Sequence, residues 1–233
     1  MQWTVVLLVC FSLIVEGQNP IGLRALSYLR GILFGTAVGV DKLRTRADDD
    51  EYNLNITNNY YLIVPGSELK PTHLWWGDNI YNWSDPDWLV GSTEKSTGWV
   101  QQNKMQLRGH NLVWPKDNRI PKWLLEQESS ITPDKAKSLL SDYIHAVVSR
   151  YRGKIPWWDV VNEAIDDSNN NSRPFNLRDS FWFRKLGPDF IKYAFLYAHE
   201  SDPDAELYYN DYDIQNLGLK ANRTIEFVYL VKI

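Results

Sequence analysis

Trp157-Trp158-Asp159-Val160-Val161-Asn162-Glu163 is a run of aromatic and β-branched residues that ends abruptly in an amide and a carboxylate. Such a run reads as a strand buried on both faces of a parallel sheet, its polar end delivering side chains to a cleft. Gly153-Lys154-Ile155-Pro156 before it, and the Asp- and Asn-rich segment from Ala164 to Asn171 after it, set its length. Neighbours in a regular strand point to opposite faces, so Asn162 and Glu163 share a site only if the strand stops or kinks there. On these residues alone two readings stay open: a solvated strand exit or helix cap, and a catalytic carboxylate with its amide neighbour.

The strand is fed by the clearest helix in the chain, Pro133 to Arg152. Thr132 is placed to cap it, Pro133 suits its first turn, and Gly153 ends it. Ala136, Leu139, Leu140, Tyr143, Ile144, Val147, Val148 and Tyr151 keep one face apolar. Further upstream, Ile32 to Val38, Tyr60 to Val64 and Met105 to Trp114 read as strands, with His110 and Trp114 at or beyond the end of the last. A lone histidine is more often structural than functional, but this one stands near a strand end as Glu163 does. Ile21 to Arg30, Asp41 to Thr57 and Lys95 to Asn103 read as helical. Thr72 to Trp88 reads as a long loop carrying Trp75, Trp76, Trp83 and Trp88. Downstream, helical material from Phe181 to Ser201 breaks at Gly187-Pro188, Glu206 to Asp211 forms a fifth strand, and Asn222 to Ile233 starts another helix.

Strands alternating with helices imply a parallel sheet with right-handed crossovers, either open and doubly wound or rolled into a barrel. Gly35-Thr36-Ala37-Val38-Gly39 lacks the glycine spacing of a dinucleotide loop. Polar residues recurring at successive strand ends favour the barrel, whose active sites are assembled there.

Composition narrows the ligand. With 233 residues, 44% hydrophobic and 23% charged, the chain has the make-up of one globular domain. A net charge of −4 without a basic cluster argues against nucleic acid as a partner. A neutral ligand is favoured, and 11 Trp beside 13 Tyr serve equally as core or as flat faces for sugar rings. Val5 to Val15 is too short to span a bilayer, so no membrane partner is expected; it suits a secretory signal cleaved after Gly17, or else an apolar element of the fold. Four sequons, at Asn55, Asn82, Asn170 and Asn222, fit a secreted glycoprotein. The only cysteine, Cys10, falls inside the presumed signal, which excludes thiol chemistry from the mature chain. No His, Asp and Glu spacing suggests a metal site, and no cofactor is expected.

Five motifs then align with a known family. Gly35-Thr36-Ala37, Glu68-Leu69-Lys70, Arg108-Gly109-His110-Asn111-Leu112-Val113-Trp114, Trp158-Asp159-Val160-Val161-Asn162-Glu163-Ala164 and Leu207-Tyr208-Tyr209-Asn210-Asp211-Tyr212 stand in the order and approximate spacing of family 10 glycoside hydrolases, the β-1,4-xylanases. The resemblance covers about residues 22–230. It implies a TIM (β/α)8 barrel and retaining hydrolysis of xylan or a related β-1,4-glycan, a polysaccharide substrate handled without a cofactor. In such enzymes one carboxyl group protonates the leaving oxygen while a second, about 5–5.5 Å away, attacks the anomeric carbon. Glu163 matches the acid/base. Asn162 matches the amide that binds the sugar 2-hydroxyl, and Lys70, His110 and Trp114 match positions that hold the glycone sugars.

Departures from the family carry expectations of their own. Gly66-Ser67 stands where the family usually has Glu-Asn, and Pro115 replaces a histidine common after the tryptophan. Both put the sugar preference in question, and the Trp-rich loop is a candidate source of replacement contacts. The nucleophile of the family lies in a Thr-Glu-Leu-Asp-type motif on a seventh strand, which no residue here matches; Glu68, Glu94 and Glu206 do not carry it. The expectation is therefore a signal peptide over residues 1–17 and, over 18–233, an incomplete barrel of about five βα units that is inactive as it stands. The alternative is a non-catalytic carbohydrate-binding remnant.

Overall fold

In the computed structural model, which describes residues 22–46, 50–93, 95–168, 172–216 and 218–230, the apolar runs become the strands of one sheet. These are β1 (Gly35–Val38), β2 (Leu62–Pro65), β5 (Gln106–Val113), β6 (Trp157–Asn162) and β7 (Glu206–Asn210), lying side by side in that order. Every neighbouring pair is parallel. Parallel neighbours cannot be joined by a tight turn, so each is reached through helical crossovers: α2 (Val40–Arg44) and α3 (Glu51–Asn59), then α4 (Pro71–Leu74), α5 (Ser84–Val90) and α6 (Trp99–Gln102), then α7 (Lys122–Glu126) and α8 (Pro133–Arg150), then α9 (Phe181–Leu186) and α10 (Asp189–Ser201). Helix α1 (Leu23–Leu29) precedes the sheet and α11 (Leu219–Leu230) follows it. The expected signal over residues 1–17 and Asn170 of the third sequon lie outside the described residues.

Helix α8 forms where its caps and periodicity place it. The Thr132 side chain accepts from the Lys135 N–H at 3.2 Å, and all seven apolar residues named from Ala136 to Val148 are buried. That face packs on α9 and α10 and helps to form the single core. The predicted break at Gly187 is also present, with a φ of +62° that a glycine adopts without strain.

The Trp-rich stretch departs from its reading as a long loop. It folds into α4, an antiparallel hairpin of β3 (Trp75–Gly77) and β4 (Ile80–Tyr81), and α5. Trp75 is buried, stacked on Tyr143 of α8 at 4.4 Å between ring centres and set edge-on to Trp123 at 5.1 Å. Trp83 lies 4.6 Å beneath the Arg150 guanidinium, and Trp88 stacks near Trp99. Of the four tryptophans only Trp76 is largely exposed. Several of the acids that interrupt the stretch make ion pairs, Asp78 with Lys135, Asp85 with Arg44 and Asp87 with Arg150, while Trp75, Trp83 and Trp88 supply packing.

Candidate active site

Strand β6 sits in the middle of the site because its register is locked on both sides. His110 of β5 pairs with Asp159, and Asn162 pairs with Asn210 of β7. Gly109 makes the first of these possible: a Cβ there would lie 2.2 Å from the Trp158 ring, so only a glycine lets the buried indole press against β5. On the opposite face from Trp158, Asp159 is buried and accepts from Arg108 Nε at 3.0 Å and from His110 Nδ1 at 2.9 Å. A carboxylate taken out of water needs such partners. The His110 bond to Asp159 through Nδ1 also orients the imidazole, whose Nε2 lies 3.5 Å from the Asn111 side-chain amide.

The polar end of β6 makes the turn that the sequence requires. Glu163 has a φ of +55°, a left-handed conformation that non-glycine residues rarely adopt. Strand alternation therefore stops at Asn162. The Glu163 N–H donates to the Asn210 carbonyl at 2.8 Å, and the Asn210 amide donates to Asn162 Oδ1 at 2.8 Å, so one β7 residue holds both. Asn162 is buried, and its Nδ2 has no hydrogen-bond partner among the described residues. That leaves a fixed donor unspent beside the carboxylate.

The Glu163 carboxylate keeps 17% of its side-chain exposure. It accepts from Trp114 Nε1 at 3.1 Å and lies 3.7 Å from the Lys116 ammonium. Two cations flank the same indole, Lys70 Nζ at 5.1 Å and Arg119 at 4.7 Å from the ring centre. Burial, reinforced by repulsion from Arg119, lowers the Lys70 ammonium below the ordinary lysine range, with Glu68 and Glu163 opposing. Glu68 itself is a loop tie: buried, it accepts from the backbone N–H groups of Val40 and Ser67, both at 2.9 Å.

Thus Lys70, His110, Trp114, Asn162 and Glu163, picked from three separate stretches, come together at one end of the sheet. Beside them opens a cleft of about 560 Å³, lined by Lys70, Arg108, His110, Asp159 and Asn210 together with Gly66 and residues of β1 and β2. Glu163 and Trp114 are not among its lining residues; they adjoin it through Asn210 and Lys70. Sequence reasoning missed Asp159, Arg119 and Lys116. An acid inside an aromatic and β-branched run signals a buried partner, which singles out Asp159; nothing in the sequence singles out the two cations. Among the described residues no group of His, Cys, Asp and Glu is arranged to hold a metal ion, and no helix is long and apolar enough to cross a membrane.

The chain is 34% identical over 213 residues to endo-1,4-β-xylanase B of Thermotoga neapolitana, covering 91% of this chain and 55% of the relative. It is 37% identical over 202 residues to endo-1,4-β-xylanase A of Xylanibacter ruminicola, covering 86% and 50%. Among solved structures, xylanase 10B of Thermotoga petrophila RKU-1 in complex with xylobiose superposes with a TM-score of 0.80 at 28% identity, over 93% of this chain and 61% of that one. The chain spans about half the length of the curated relatives it matches. The description of glycosyl hydrolase family 10 matches residues 22–232, a span that contains all five motifs, the whole sheet and the Glu163 constellation; the chain belongs to that family.

Proposed function

We propose that this chain carries the acid/base side of a retaining β-1,4-glycan hydrolase of endo-xylanase type, with Glu163 as the proton donor. The observation that carries the reading is the presentation of Glu163: a left-handed turn at a strand exit holds one carboxyl group, mostly shielded from solvent, against the Trp114 N–H and next to a cleft. In the reaction Glu163 gives its proton to the glycosidic oxygen as a second carboxylate attacks the anomeric carbon and the C–O bond breaks. Glu163 then removes a proton from the water that hydrolyses the glycosyl intermediate. Asn162 supplies the unspent amide donor to the sugar 2-hydroxyl, Lys70 and His110 grip the glycone hydroxyls, and the Trp114 ring gives them an apolar face. Xylan is the proposed substrate, supported by the names of the two relatives and by the xylobiose held in the structural neighbour. Export, with residues 1–17 as leader, fits a polymeric substrate outside the cell.

We further infer that the five βα units are an arc of an eight-stranded barrel and that the second carboxylate belongs to strands beyond them. Glu68 is committed to its loop. Glu206 lies at the start of β7, where it accepts from the Tyr208 hydroxyl at 2.6 Å, away from the strand end that carries Glu163. The chain alone is then inert on xylan. A chimaera adding the remaining strands of the Thermotoga petrophila enzyme releases xylo-oligosaccharides. In that chimaera Glu163→Gln lowers turnover of xylan by about 10²–10⁴-fold, and less for aryl glycosides whose leaving groups need no proton. Unchanged turnover of xylan in the Gln variant overturns the assignment. Binding of xylo-oligosaccharides by a chimaera without any hydrolysis would instead favour the carbohydrate-binding alternative.

A further inference from the structure

Glu163 occupies a backbone conformation that its own residue type disfavours, so something outside the strand must hold it. Three polar groups of the backbone around it are pinned. Its N–H goes to the Asn210 carbonyl at 2.8 Å, and the Ala164 N–H goes to the Tyr209 hydroxyl at 3.1 Å, both supplied by β7. The third, the Glu163 carbonyl, accepts from Arg178 Nε at 2.9 Å. Arg178 comes from the loop that returns after β6, and its own N–H donates to the Ala164 carbonyl at 2.8 Å, so one residue grips the turn twice.

The guanidinium is fixed by its other side. Arg178 is 9% exposed, and its Nη2 donates to Asp167 Oδ2 at 2.9 Å and to the Tyr212 hydroxyl at 3.1 Å. Asp167 also accepts from Lys220 of α11 at 3.0 Å, and Lys220 reaches the fully buried Asp211 carboxylate at 2.8 Å. Asp211 accepts from the Tyr209 hydroxyl at 2.5 Å, which returns the path to the Ala164 N–H. The chain of bonds leaves the carbonyl of Glu163 through one residue and comes back to the next peptide through another. Arg178 and the Asp211 carboxylate lie on the buried side of this circuit and Asp167 and Tyr212 on its solvent side, so the bonds nearest the turn are the ones least weakened by water.

We propose that Arg178 is a positioning residue for Glu163, setting through the backbone carbonyl where the carboxyl group sits relative to Trp114. The word positioning rests on the acid/base reading of Glu163, but the geometry being set does not. Lysine cannot substitute, because one ammonium does not reproduce the planar fork that serves carbonyl, carboxylate and phenol together.

The test uses the whole chain labelled with ¹⁵N and follows indole N–H resonances against pH, without any substrate. The Trp114 signal is assigned by its loss in Trp114→Phe. Its titration is assigned to Glu163 by disappearance in Glu163→Gln. Arg178→Met, which keeps the bulk and removes the donors, is expected to abolish or shift that titration, and Arg178→Lys to restore only part of it. Val147→Ala, on the buried face of α8 and remote from the circuit, is the control: it lowers stability and leaves the titration as in the parent. A parent-like titration in folded Arg178→Met overturns the proposal, as does an equal change in Val147→Ala. Should the Met variant not fold, Arg178→Lys decides: a parent-like curve overturns the proposal and a shifted one supports it. A chimaera inactive on xylan would sink the hydrolase reading and leave this result standing, because the readout never involves hydrolysis.

Discussion

Gly109 shows how one missing methyl group decides where the site lies. With a Cβ 2.2 Å from its ring, Trp158 would have to leave its pocket, and β6 would move with it. Gly109→Ala is therefore expected to cost about 1–3 kcal/mol, the usual range for forcing atoms into a filled core, measured as a fall in the urea midpoint at unchanged slope. At this scale the residues around Glu163 left a solvated strand exit and a catalytic carboxylate both open, and it was the family resemblance of the whole motif that singled Glu163 out. Asp159 stood in the same motif and was passed over: its meaning depends on Arg108 and His110, which face it only once the parallel register is known. Arg178 was invisible for a similar reason, since its contact is with a backbone carbonyl and leaves no side-chain signature.

Among elements, α8 is the one that local rules specify most fully. Cap, first-turn proline, apolar stripe and terminal glycine agree, and such agreement across levels is what makes a segment readable. Thr132→Ala is expected to remove about 1 kcal/mol, seen as a lower thermal midpoint by circular dichroism with the native spectrum retained. The stretch from Pro71 to Val90 is the opposite case. Its helix–hairpin–helix path is held by partners far away in sequence: Trp75 by Tyr143 and Trp123, and Asp87 by a two-pronged bond from Arg150 at 2.8 and 2.6 Å. Periodicity over a short window cannot report such contacts, so a segment rich in Pro, Asp and Asn looked like a loop.

For the molecule as a whole, the strand order follows the chain order, and alternating strands and helices were enough to foresee a parallel sheet. What alternation could not supply is how the segments after the last two strands are knitted together. Asp167 is central there. Burial raises its carboxyl, but bonds from Tyr212, Arg178 and Lys220 outweigh it and hold the group well below the usual carboxylate range. A carboxyl depressed in the folded state contributes stability that is complete above its ordinary, unfolded value and is lost as pH falls through the folded value. Half of this side chain is exposed, so solvent screening makes the contribution modest. Urea unfolding across the acidic range should show stability falling less steeply with acid in Asp167→Asn than in the parent. Parallel slopes would mean that other carboxylates govern the acid limb.

The left-handed turn at position 163 also sets local comfort against a side chain. A glycine there would relieve about 1–2 kcal/mol of backbone strain but would remove the carboxylate that meets Trp114 and Lys116, so the seat that suits the main chain best is one that leaves this corner of the cleft without its acid.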